Sequence, residues 1–237
     1  IGIGKAFVVE KSPIDINKFY VNDVRKEIER LRNAVELGKN QVNELYLKTL
    51  NKVGEKEAQI FKSHEMMLED DSFISEVESK IKNEKINAEY ALKEVSLNYI
   101  KMFEKIEDEY LRQRSEDIND VITRVTKILL GKKTIDDSKL DKDSIIIAKD
   151  LTPSDTAQIE KGKVAAMITE MGGKTSHAAI IARIMGIPTV VGLDSITQKI
   201  KNNDVVVCDG KSGKVLINPN EKQLNYYTQK KLRLEEI

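Results

Sequence analysis

Met171-Gly172-Gly173-Lys174-Thr175-Ser176-His177-Ala178-Ala179-Ile180-Ile181-Ala182-Arg183 follows directly on a β-rich run from Val164 that closes at Thr169. Strand, glycine turn and helix in that order form a building unit of α/β layers, so this stretch sets the fold class. Two glycines let successive backbone amides converge, and Thr175 or Ser176 can cap the helix whose small apolar residues start at Ala178.

Working outward, further β-rich runs lie at Ile145-Ile146-Ile147, Thr189-Val190-Val191, Val205 to Cys208 and Val215-Leu216-Ile217. Thr152-Pro153-Ser154-Asp155 predicts a helix start: threonine as cap, proline at the first helical position and an acid three residues after the cap. Gly162 is expected to end that helix. Upstream the texture changes, since no proline occurs between Pro13 and Pro153 and the only glycines between Asn22 and Leu130 are Gly38 and Gly54. Apolar residues there recur at helical spacing: Val24, Ile28, Leu31, Val35, Val42 and Leu45; then Ala88, Leu92, Val95, Tyr99, Met102 and Ile106; then Ile118, Val121, Val125 and Ile128. Three such faces predict a helical bundle, and Gly131 is placed to stop its last helix.

The opening run Ile3 to Val9 is strand-like, yet the helical block offers it nothing to pair with. It is therefore assigned to the later sheet, which makes the helical block an insertion. The predicted architecture is an α/β domain over 1–20 and 138–220, an inserted all-α bundle over 21–137, and a charged helical tail over 221–237. A start without methionine and that charged tail are read as marks of a fragment.

The 39 basic and 39 acidic residues cancel, so no net field draws the chain to nucleic acid or an anionic membrane. No apolar stretch reaches the roughly 20 residues of a membrane span. Cys208 is the single cysteine and lies in an apolar run, which excludes a disulfide framework and reads as a core thiol in a cytoplasmic protein.

Unpaired amides at a helix start, with the positive end of the helix dipole, favour an anion, and phosphate is the obvious candidate. His177 stands in that first turn. A neutral imidazole nitrogen is a competent nucleophile toward phosphorus, and Lys174 and Arg183 are cations close by in sequence. A capping or surface histidine beside a tight turn fits the same pattern, and spacing alone does not separate the two readings.

Gly172 to Arg183 resembles the phosphohistidine motif of the phosphoenolpyruvate-utilising enzymes. Within them, three features resemble the N-terminal part of the enzyme I type, the phosphoenolpyruvate-protein phosphotransferases. A helical block lies between the opening strand and the histidine, where the dikinase and synthase types place an ATP-binding domain. Phe61-Lys62-Ser63-His64-Glu65-Met66-Met67-Leu68-Glu69-Asp70-Asp71 is similar to the stretch that docks the histidine-containing carrier HPr. Asp150-Leu151-Thr152-Pro153-Ser154-Asp155-Thr156 is similar to the segment whose last threonine contacts the active histidine.

The resemblance implies a swivelling phosphohistidine domain in which His177 is phosphorylated on Nε2 and Thr156 hydrogen-bonds its ring. Gly172, Gly173, Thr175, Ser176 and Arg183 would support the site. Phe61, Met66, Met67, Glu69, Asp70, Asp71, Phe73 and Arg114 would face HPr. Read without it, Met66 and Met67 are equally a core pair beside a solvated acidic turn, whereas docking needs them as apolar contacts rimmed by negative charge. His64 is read as a hydrogen-bonded surface residue without a catalytic role. The resemblance further implies a C-terminal phosphoenolpyruvate-binding and dimerisation domain beyond this chain. Magnesium would act only there, with no cofactor in this part. The tail over 221–237 would be the linker helix to that domain. Two rivals stay open: an adaptor whose glycine turn only holds an anion, and the mobile domain of an ATP-dependent dikinase.

Overall fold

The computed structural model describes residues 1–9, 14–105, 109–132, 140–160, 162–173 and 176–235, leaving aside the side chains of 104, 109–114 and 235. The chain falls into two compact units, Ile1–Ser12 with Ile135–Ile237, and Pro13–Thr134.

The second unit is helical: α1 (Val24–Lys52), α2 (Glu55–Leu68), α3 (Asp71–Glu84), α4 (Ala88–Glu104) and α5 (Glu109–Leu129). The periodic apolar residues explain its packing. Leu31 and Val42 of α1, Ala88, Leu92 and Val95 of α4, and Val121 and Val125 of α5 are buried, and α1 packs on α2 and α5 while α4 packs on α3 and α5. The α4 stripe stops short of expectation, because Met102 is exposed. Arg30 binds Glu27 and Glu89 and donates to the Leu129 carbonyl, so one guanidinium ties α1, the start of α4 and the end of α5. Gly131 closes α5 as expected: at φ +64° it donates to Ile128 while Lys132 donates to Lys127, the paired bonds of a Schellman stop.

The first unit holds β1 (Gly2–Val8), β2 (Ser144–Ala148), α6 (Pro153–Gln158), β3 (Val164–Thr169), α7 (His177–Ile184), β4 (Thr189–Val190), α8 (Ile196–Lys199), β5 (Val205–Asp209), β6 (Lys214–Ile217) and α9 (Glu221–Glu235). Its six strands run in the order β4-β3-β2-β1-β5-β6. The opening strand does join this sheet: β1 is parallel to β2, with Ala6 opposite Ile145, and antiparallel to β5, with Ile3 opposite Val207. Gly4 is required there, since a Cβ would stand 1.8 Å from the Asp143 carbonyl oxygen. Every residue of β2 is buried, which suits the unbroken isoleucine run of a strand covered on both faces.

Helix α6 starts as its sequence predicts. Thr152 accepts from the Asp155 amide and the Asp155 carboxylate accepts from the Thr152 amide, a complete capping box. Its end differs from expectation. The helix stops at Gln158 with Ile159 extended, because Ile159 is pulled wholly into the core; Gly162, at φ +106°, serves the turn into β3 instead. Cys208 is a core thiol, and burial pushes it up to about 12. Among the described residues no helix is long and apolar enough to cross a membrane.

Candidate functional site

The loops that follow β2 and β3 meet at the carboxyl ends of these parallel strands, the usual place for ligands in α/β sheets. The Glu170 amide donates to the Ala148 carbonyl (3.2 Å) and the Met171 amide to that of Lys149 (2.8 Å), which carries the pairing past the strands. The Thr169 hydroxyl, at the end of β3, donates to the Met171 carbonyl. Gly172 then takes φ +100°, a conformation that side chains disfavour, and the chain turns toward α7.

Ser176 caps that helix, its hydroxyl accepting from the Ala179 amide at 3.3 Å. His177 is therefore the first helical residue and is half-buried. At that position the positive end of the helix dipole favours negative charge on or beside the ring. A concavity beside the helix start is lined by Asp150, Leu151, Thr169, Met171, Gly172 and Ser176.

Helix α6 packs against α7 and contributes Thr156, which is fully buried. Its hydroxyl donates to the Thr152 carbonyl at 3.1 Å, so its proton is committed and its oxygen is left as an acceptor. Arg183 is in the last turn of α7. Six residues of helix put it roughly 9 Å along the axis from His177 and on another face. There its charge complements the carbonyl end of the helix. Lys174 and Thr175 lie outside the described residues. Among the described residues no group of three or more histidine, cysteine, aspartate or glutamate side chains could hold a metal ion.

The stretch assigned to docking divides. Met66 is exposed, Met67 is half-buried, and Glu69, Asp70 and Asp71 are exposed. Phe73 is half-buried, edge-on to Tyr99 at 5.3 Å. Asp70 also has a structural task, accepting from the Ser72 and Phe73 amides to cap α3. Two assignments are corrected. Phe61 is fully buried and cannot line a docking face. His64 is no surface residue: it is fully buried, edge-on to Phe61 at 5.7 Å and 3.6 Å from the Asp117 carboxylate. Both belong to the inward face of α2, with Ala58 and Leu68. The side chain of Arg114 lies outside the described residues.

Sequence reasoning did not find Glu170, whose carboxylate accepts from the Thr197 amide at 3.0 Å and from the Thr197 hydroxyl. No local pattern announces a bond between residues 27 positions apart.

Comparison with known proteins agrees along the whole chain. The family described as PEP-utilising enzyme, N-terminal, matches residues 1–114, and PEP-utilising enzyme, mobile domain, matches residues 140–213. The phosphoenolpyruvate-protein phosphotransferase of Geobacillus stearothermophilus is 43% identical over 99% of this chain, and that of Mycoplasma capricolum is 42% identical over 97%. The chain spans about two fifths of the length of these curated relatives. An enzyme I structure solved by NMR superposes with a TM-score of 0.82 at 39% identity, covering 99% of this chain and 95% of that one. The N-terminal domain of a nitrogen-type enzyme I shares the fold, with a TM-score of 0.68 at 24% identity over 96% of this chain and 93% of that one. Two consecutive family matches, and a solved relative covered almost end to end, show that the chain belongs to the phosphoenolpyruvate-utilising enzymes, alongside the N-terminal domains of enzyme I.

Proposed function

We propose that this chain carries a phosphoryl group on His177 Nε2 and exchanges it with HPr, as the middle step of a cytoplasmic relay from phosphoenolpyruvate toward imported sugar. The observation that carries this reading is the position of His177 as the first residue of α7, behind a Gly172 turn, within the part matched to the family's mobile domain. The phosphoenolpyruvate step, with its magnesium and the dimer contacts, belongs in this reading to the part of the relatives that this chain does not span. α9 leads toward that part.

The Thr156 hydroxyl, with its own proton given to Thr152, accepts the Nδ1 proton of the ring. That fixes the tautomer with the lone pair on Nε2, the nitrogen that attacks. As the new N–P bond forms, the N–P bond of phospho-HPr breaks and its electron pair returns to the HPr imidazole. Positioning and charge complementarity supply the catalysis, with the α7 amides facing the phosphoryl oxygens. On the helical unit, the exposed Met66 between Lys62–Glu65 and the acidic run Glu69 to Asp71 gives an apolar contact with a negative rim, suited to a carrier with basic surroundings.

The test is the intact mass of this chain after incubation with phosphorylated HPr. A single phosphate that is acid-labile and lost in His177→Ala is expected. An unlabelled but folded chain would overturn the relay and favour the adaptor, while labelling from ATP without HPr would favour the dikinase alternative.

A further inference from the structure

Helix α8 lacks a cap of its own. Its N-cap residue, Ser195, is held at φ 55°, makes no side-chain bond to the helix start and turns its hydroxyl to the Asp194 carboxylate instead. The amide of Thr197, which a cap side chain ordinarily satisfies, is taken by Glu170 Oε1 at 3.0 Å. The Thr197 hydroxyl donates to the same oxygen. These two donors, with Lys149 beside them, hold the Glu170 carboxyl below its usual range. It is therefore the charged acceptor that ties the two segments.

The backbone of Glu170 is the first residue of the loop that ends at His177. Its neighbours are pinned along the strand direction: Thr169 accepts from the Leu193 amide, the Glu170 amide reaches Ala148 and the Met171 amide reaches Lys149. Beyond Met171 come Gly172 and Gly173, which have no side chains to anchor the turn. The Glu170 side chain is a sideways restraint, bracing the loop against the start of α8 just before the glycines begin.

We propose that Glu170 is a positioning residue for phosphoryl transfer, acting through Thr197 to hold the glycine turn in register with His177. This rests on the reading of His177 given above. A turn free to drift would present its amides poorly to the phosphoryl group in flight, and small misplacements are costly in rate.

The rate of labelling by phospho-HPr should be followed against HPr concentration for the native chain, Glu170→Ala, Glu170→Gln and Thr197→Val, with a thermal melt of each. Glu170→Ala is expected to slow the limiting rate by about tenfold with the half-saturating concentration of HPr unchanged. Glu170→Gln keeps an oxygen that accepts from both donors and should stay within about threefold of native. Thr197→Val retains the amide donor and should fall between them.

A native limiting rate in Glu170→Ala would overturn the proposal. So would a loss expressed only in half-saturation, a loss confined to temperatures at which the melt shows unfolding, or an equal loss in Glu170→Gln. Failure of the native chain to label at all would instead overturn the relay reading and is thereby distinguished. If Glu170→Ala does not fold, the Glu170→Gln and Thr197→Val pair decides, since near-native glutamine beside slowed valine supports the clamp and the reverse order refutes it.

Discussion

Lys230 Nζ lies 2.7 Å from Asp209 Oδ2, and that carboxylate is only 1% exposed. Asp209 ends β5 and Lys230 sits on α9, so the pair joins the sheet to a helix that is otherwise mostly exposed. Tyr227, one turn earlier, is the buried contact beneath it. The Lys211 and Ser212 amides complete the set of donors around the other carboxylate oxygen.

This latch should open in acid. Burial pushes the Asp209 carboxyl up, but Lys230, Ser212 and Lys211 outweigh it and hold it down to about 2. A folded-state value below the unfolded one means that the contribution to stability is complete above the unfolded value and fades as pH falls. Loss should run from about pH 4 to about pH 2. Hydrogen-exchange protection of the α9 amides is expected to drop across that window ahead of the strands, and to be low and flat with pH in Lys230→Gln. Protection in the variant that still falls over the same range would assign the step to another group.

Exposure separates two residues that a motif likeness places together. Phe61→Ala should cost about 3–5 kcal/mol, since the ring is fully buried. Met66→Ala should move stability by no more than about 0.5 kcal/mol, since Met66 is 70% exposed. Denaturant unfolding measures both. Calorimetric titration with HPr should show the opposite order once Phe61→Ala is compared at a temperature where it is folded. Unchanged HPr binding in Met66→Ala would remove that residue from the docking face.

What was legible in the sequence was what is local. The capping box of α6, the Schellman stop at Gly131 and the Ser176 cap are each written within six residues, and each forms as its pattern dictates. That β1 joins the later sheet followed by elimination, because a strand needs an edge to join, whereas its place between β2 and β5 did not. Phe61 was misplaced because a likeness marks a stretch, whereas a helix divides that stretch by face, and His64 because a lone histidine was read as exposed without regard to that face. The spacing of Ala58, Phe61, His64 and Leu68 already traced an inward stripe. The Glu170 clamp was beyond reach, since nothing at Thr197 or Ser195 signals which distant acceptor will satisfy the amide.

Thr156 allows the tautomer argument to be tested without harming the fold. Thr156→Val keeps the buried shape and gives up one neutral hydrogen bond, to the Thr152 carbonyl, worth about 0.5–1.5 kcal/mol. The labelling rate should fall further, by about tenfold, because in the proposed relay this hydroxyl is the acceptor for Nδ1–H. Thr156→Ser should restore most of it. A valine variant that labels at the native rate would show that the hydroxyl serves only α6.

Gly172 and Gly131 offer a matched pair. Both take positive φ, +100° and +64°, and an added Cβ meets nothing closer than 3.9 Å at the first and nothing within 4 Å at the second. Alanine at either position is therefore strained by backbone conformation and not by collision, at a cost of about 1 kcal/mol. Relief of that strain requires the backbone to shift, and the consequences of shifting differ. At Gly131 only the end of α5 moves. At Gly172 the turn ahead of Ser176 and His177 moves, and with it the amides that the proposed relay turns toward the phosphoryl group. Equal losses in melting temperature are expected from the two alanine variants, with slower labelling and a shorter-lived phosphohistidine only in Gly172→Ala. Comparable labelling in both would show that the turn does no more than connect β3 to α7.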